Sequence, residues 1–115
     1  GDTTTNTSVF TGDTYVENGV TYYIYKGVFA TTVNGGKAVT TGIIVDKSVK
    51  QILSISLNYN NGLTASVTDV TVGSSIPTNI GMNIGVGNMY NVLDTADISA
   101  KVMVEFASEA IPAGL

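Results

Sequence analysis

The feature that most constrains this chain is the alternation in QILSISLNY, residues 51–59. Leu53, Ile55, Leu57 and Tyr59 fall on one side, and Ser54, Ser56 and Asn58 on the other. Successive side chains leave a β-strand on opposite faces, so this pattern describes a strand with one buried face. Asn60-Asn61-Gly62 follows, a turn whose residues tolerate positive φ. Residues 64–72 then supply Thr and Val, which suit a pleated surface. The expectation is a central β-hairpin over residues 51–72 with the other strands added around it.

The same signals recur along the chain. Residues 15–20 (YVENGV) read as a tight hairpin, because Asn18-Gly19 is a strong two-residue turn signal. Residues 20–32 form a long strand with large residues on both faces: Val20, Tyr22 and Ile24 on one, Tyr23 and Tyr25 on the other. Gly27 within it predicts a bulge or bend. Asn34-Gly35-Gly36 predicts a turn. Residues 37–46 predict a strand with Val39, Thr41, Ile43 and Val45 on one face and Ile44 on the other. Ile80, Met82, Ile84 and Val86 alternate with Gly81, Asn83 and Gly85, which leaves that strand smooth on one side. A further short strand is expected at residues 89–93. Residues 98–106 are as regular as the central strand, with Ile98, Ala100, Val102, Val104 and Phe106 on one face. Leu53, Ile55, Leu57, Val102, Val104 and Phe106 are therefore expected to share the core.

No segment has a helical period. About eight strands with turns at roughly ten-residue spacing predict an all-β fold, a single-domain antiparallel sandwich or jelly-roll-like barrel. Residues 15–108 are the expected sandwich, and residues 109–115 a tail. Residues 1–14 (GDTTTNTSVFTGDT) are rich in Thr, poor in charge, and carry Val9 and Phe10 as isolated apolar anchors. They are expected to form an extended arm that lies on a neighbouring chain. The chain opens on Gly1, so removal of a signal, propeptide or tag is expected.

Composition narrows the chemistry. There is no Cys and no His among 115 residues, and all five basic residues are Lys. Disulfides, thiolate metal sites and nucleophile–imidazole pairs are thereby excluded. A net charge of −4 without Arg argues against nucleic acid as a partner, since phosphate contacts need clustered cations. No apolar run approaches the length of a helical membrane span. Residues 81–88 (GMNIGVGN) lack the Lys and helix of a phosphate loop. Asp69, Asp94, Asp97 and Glu105 could form a carboxylate pair for glycoside hydrolysis, or Asp94 and Asp97 a Ca²⁺ site. Turn chemistry accounts for Asp94 and Asp97 more simply. No catalytic residue, cofactor or metal is expected.

Only 12% of residues are charged, about half the usual share. A weakly charged surface resists self-association poorly. Val9, Phe10, Tyr23, Tyr25, Ile44, Gly81, Gly85 and Met103 are the expected interface residues, and further copies of the chain the expected partners.

The run TTGIIVDKSVKQILSISLNYN, the Gly/Asn-rich strand after it and the terminal DISAKVMVEFAS strand together resemble the small all-β virion proteins of tailed phages: head decoration, head-fibre or tail-fibre modules. The resemblance spans residues 40–108. It implies a non-enzymatic, homo-oligomeric structural protein on a virion or other extracellular surface, with a major capsid or tail protein as a possible further partner. Two alternatives remain open: a surface filament subunit joined by N-terminal strand donation, and a secreted carbohydrate-binding sandwich using exposed Tyr rings.

Overall fold

The computed structural model describes residues 5–34, 40–85 and 97–115. They form nine strands and no helix: β1 (Thr5–Asn6), β2 (Val9–Glu17), β3 (Val20–Val33), β4 (Thr40–Val45), β5 (Gln51–Tyr59), β6 (Thr64–Ala65), β7 (Val67–Val72), β8 (Thr78–Ile84) and β9 (Ile98–Ser108). One sheet has the order β2-β3-β9-β5-β6, and the other β1-β4-β8-β7. All pairings are antiparallel except that of β1 with β4. The fold is the all-β sandwich that the alternation implies.

The core lies between the two sheets. Tyr25, Phe29 and Val33 of β3, Val102, Val104 and Phe106 of β9, and Leu57 and Tyr59 of β5 come from one sheet. Ile43 and Val45 of β4 and Ile80, Met82 and Ile84 of β8 come from the other. Cross-strand register stacks these residues directly, with Phe29 opposite Val102, Leu57 opposite Val102, and Ile43 opposite Ile80. Two threonines bridge the sheets inside: the Thr31 and Thr41 hydroxyls lie 3.0 Å apart. Thr31 also donates to the Gly42 carbonyl and Thr41 to the Thr32 carbonyl. Both threonine hydroxyls are thus satisfied within the chain. Within the described residues, the Tyr59 hydroxyl is buried with no hydrogen-bond partner. Burial raises the pKa of Tyr59.

The long strand β3 is covered on both faces around Tyr22–Tyr25, whereas Lys26, Val28 and Ala30 leave its outer face exposed further along. Tyr22 and Ile24 form a second small cluster with Ala107 on the outer side, against Tyr15. The β2–β3 hairpin turns on Asn18 (φ 50°) and Gly19 (φ 79°), the two positive values that a type I′ turn needs.

Four expectations are corrected. The central hairpin survives for only two rungs, Leu57 with Ala65 and Asn58 with Thr64. Beyond them β7 crosses to the other sheet and pairs with β8. Leu53 leaves the core: a bulge between Ile52 and Ser54 inserts one residue against β9, and Leu53 is 44% exposed. Ile52 packs on the core instead, with Ile55 partly buried. Gly27 is not a bulge, because its pairing with Val104 sits in an unbroken register. It makes room for the Phe29 ring, whose atoms lie 2.6 and 2.7 Å from where a Cβ would stand. Finally, residues 5–14 are not a free arm: β1 adds to β4 and β2 to β3 within the same chain. The expected turn at 34–36, Val39, Val86 and the strand at 89–93 fall wholly or partly outside the described residues.

Candidate functional site

The outer face of the five-stranded sheet carries a groove of about 560 Å³. Strand register builds it in two transverse rows. Val9 of β2 lies opposite Lys26 of β3, Lys26 opposite Glu105 of β9, and Glu105 opposite Ser54 of β5. Beside that row, Val28 lies opposite Met103, and Met103 opposite Ser56. All these side chains leave the face opposite the core, because their neighbours in sequence point inward. Val9 and Val28 are 61% and 60% exposed. Asn58 Nδ2 donates to the Met103 sulfur at 3.7 Å, which holds that flexible side chain across the row. The groove thus has an apolar floor with one cation, one anion and the hydroxyls of Thr7, Ser54 and Ser56 around it.

The eight residues expected at an interface are scattered by the fold. Val9 and Met103 lie in the groove. Tyr23 and Tyr25 are on the core side of β3 and not outward as expected, since odd positions of that strand face the other sheet. Tyr25 is 2% exposed. Phe10 packs against both, with ring centroids 5.9 Å away in each case. Ile44 and Gly81 belong to the outer face of the four-stranded sheet. The smoothness of β8 is used within the chain: a Cβ on Gly81 would meet the Thr71 hydroxyl at 2.9 Å, and one on Gly85 the Ser66 hydroxyl.

The candidate acids do not converge. Glu105 is in the groove, while Asp69 is on β7 in the other sheet and accepts a 2.7 Å hydrogen bond from Asn83 Nδ2. Asp97 is exposed at the start of β9, and Asp94 lies outside the described residues. Among the described residues no three acids cluster as a cation would need.

A further acid, Asp46 just after β4, is a tether. Asp46 Oδ1 accepts from the Ser8 amide at 3.1 Å and the Ser8 hydroxyl at 2.8 Å. Lys47 Nζ donates to Asp46 Oδ2 at 2.7 Å and sits 4.6 Å above the Tyr25 ring centre. Ser8 is the crossover between β1 and β2, so this knot pins the chain where it passes from one sheet to the other. Burial pushes the Asp46 carboxyl up, but the bonds from Lys47 and Ser8 outweigh it and leave its pKa below the ordinary value. Burial also raises Tyr25, helped by the Asp46 charge. The Tyr25 hydroxyl donates to the Ala110 carbonyl at 2.6 Å, which ties down the C-terminal tail.

No family model, curated protein or solved structure matches this chain.

Proposed function

We propose that this chain is a non-enzymatic structural domain that associates with copies of itself, as a component of a particle surface such as a phage decoration or fibre protein. The observation that carries the reading is the groove on the five-stranded sheet. Val9 and Val28 are more than half exposed there beside Met103, in a chain with few charges to keep such a face apart from another. The groove holds Lys26 and Glu105, one of each sign. Two copies brought face to face there do not repel, although the whole chain carries −4. The virion assignment rests on the sequence resemblance alone. The filament alternative requires an N-terminal strand given to a neighbour, and residues 5–17 are paired at home, which supports closed association over strand exchange.

Sedimentation velocity across a wide concentration range tests this. The wild-type chain is expected to form a closed oligomer. Val28→Lys and Met103→Lys, both on the outer face, are expected to weaken it at least about tenfold while circular dichroism stays unchanged. A wild-type monomer at millimolar concentration overturns the reading, and the glycan-binding alternative then becomes the one to test on a saccharide array.

A further inference from the structure

Building on that reading, we propose that the groove is one half of a two-fold interface. A second copy stacks its five-stranded sheet on this one about an axis that runs along the strands, midway between β3 and β9, so that Lys26 of each copy meets Glu105 of the other.

The argument starts from four side chains in the groove. Lys26 and Val28 project outward from β3, and Glu105 and Met103 from β9. Register sets Lys26 opposite Glu105 and Val28 opposite Met103. The four thus mark the corners of a patch about 5 Å across the strands and about 7 Å along them. Lys26 and Val28 are exposed, Met103 and Glu105 half-buried. Among the described residues the ion pairs are Lys47 with Asp46 and Lys50 with Glu17. Lys26 and Glu105 stand on neighbouring strands and form none, so both charges are open to a partner.

The direction of the axis decides what meets what. An axis across the strands sets Lys26 over Val28 and Glu105 over Met103, which covers each charge with an apolar group. An axis along the diagonal through Lys26 and Met103 sets Lys26 over its own copy, and the other diagonal does the same to Glu105. The axis along the strands sets Lys26 over Glu105 and Val28 over Met103. β3 of one copy then lies over β9 of the other, and the register within one sheet becomes the pairing between two. In the same row, Val9 comes to stand over Ser54.

The occupant is a copy of this chain because the patch is complementary to itself under this axis: charge meets opposite charge and apolar meets apolar, twice over. Stacked sheets keep their strands within about 30° of each other. The four residues flank the axis, so that angle displaces outer rows more than this patch. Met103, unbranched and adaptable, and the aliphatic stem of Lys26 reach from each copy into the groove of the other. Stacking needs no free strand edge. That suits a molecule in which β2 and β7 are bulged and β1 and β6 are two residues long.

Charge exchange tests the arrangement. Lys26→Glu sets acid over acid at both pairs, and Glu105→Lys sets lysine over lysine. Each alone is expected to lower the association constant at least about tenfold in sedimentation velocity. An equal mixture of the two, one isotopically labelled, is expected to recover association to within about threefold of wild type, as heterodimer counted by native mass spectrometry. The double variant is expected to recover it as homodimer. In the mixture each chain keeps like charges opposite each other across its own β3 and β9, so recovery there can come only from the partner. Melting curves are recorded for every variant. Should a reversal fail to fold, Lys26→Gln, Glu105→Gln and their double variant supply a double-mutant cycle, in which the double variant is expected to associate no more weakly than either single one. If the wild-type chain associates but the reversals leave it unchanged, or the mixture does not recover, or the glutamine variants act additively, the two-fold pairing is wrong and self-association stands. If the wild-type chain is a monomer, self-association fails and the pairing with it.

Discussion

Gly27→Ala tests the packing account of β3 at a single atom. A Cβ at residue 27 would stand 2.6 Å from Cζ and 2.7 Å from Cε2 of Phe29, about 1 Å inside ordinary carbon contact. The Phe29 ring has nowhere to retreat: it is wholly buried, and Val102 lies opposite it on β9. Forcing a methyl into such a core costs about 1–3 kcal/mol. Replacing Gly also restricts the unfolded chain, which returns about 0.4–1 kcal/mol. The net expected loss is about 1–2 kcal/mol. For 115 residues the unfolding entropy near 60 °C is about 240 cal/mol/K, so the melting temperature should fall by about 4–8 °C. The double variant Gly27→Ala with Phe29→Leu discriminates cause. Phe29→Leu alone is destabilising through lost contacts, but in its presence the added methyl has space, so the two effects should be non-additive by about 1 kcal/mol or more. Urea unfolding of the four proteins provides the cycle. A neutral or stabilising Gly27→Ala, or strict additivity, would refute the idea that this glycine exists for the Phe29 ring.

Leu57→Ala and Leu53→Ala should separate widely despite their equal place in the alternation: about 2–5 kcal/mol for the buried Leu57, and about 0.5 kcal/mol or less for Leu53 in the bulge, both read by urea midpoint. The depressed Asp46 carboxyl stabilises the fold fully above the ordinary carboxylate pKa of about 4, and this contribution is lost as pH falls through the lower folded value. Asp46→Asn should therefore be less stable than wild type at pH 7, with the gap narrowing toward pH 2; a constant gap in urea titrations at each pH would count against the charged tether.

Much of the architecture is written in the local pattern. Alternation, Asn-Gly and Asn-Asn-Gly turns and the absence of helical period determine an all-β chain, because side-chain direction in a strand depends only on parity. The inward residues of β8 and β9 follow from the sequence for the same reason. What parity cannot determine is which strand lies alongside. The bulge at Leu53 exists only against β9, and a single inserted residue reverses every face beyond it, so Leu53 and Ile52 exchange roles. The hairpin after Asn60 looks continuous through Val72, yet Ser66 accepts the Gly85 amide and the chain departs for β8. Val9, Lys26, Val28, Met103 and Glu105 come from three strands and become one groove only through register. The alternation of QILSISLNY was legible as a strand with one buried face. That β6 accompanies it for only two residues was decided by where the chain crosses between the sheets, a long-range outcome that local pattern does not carry.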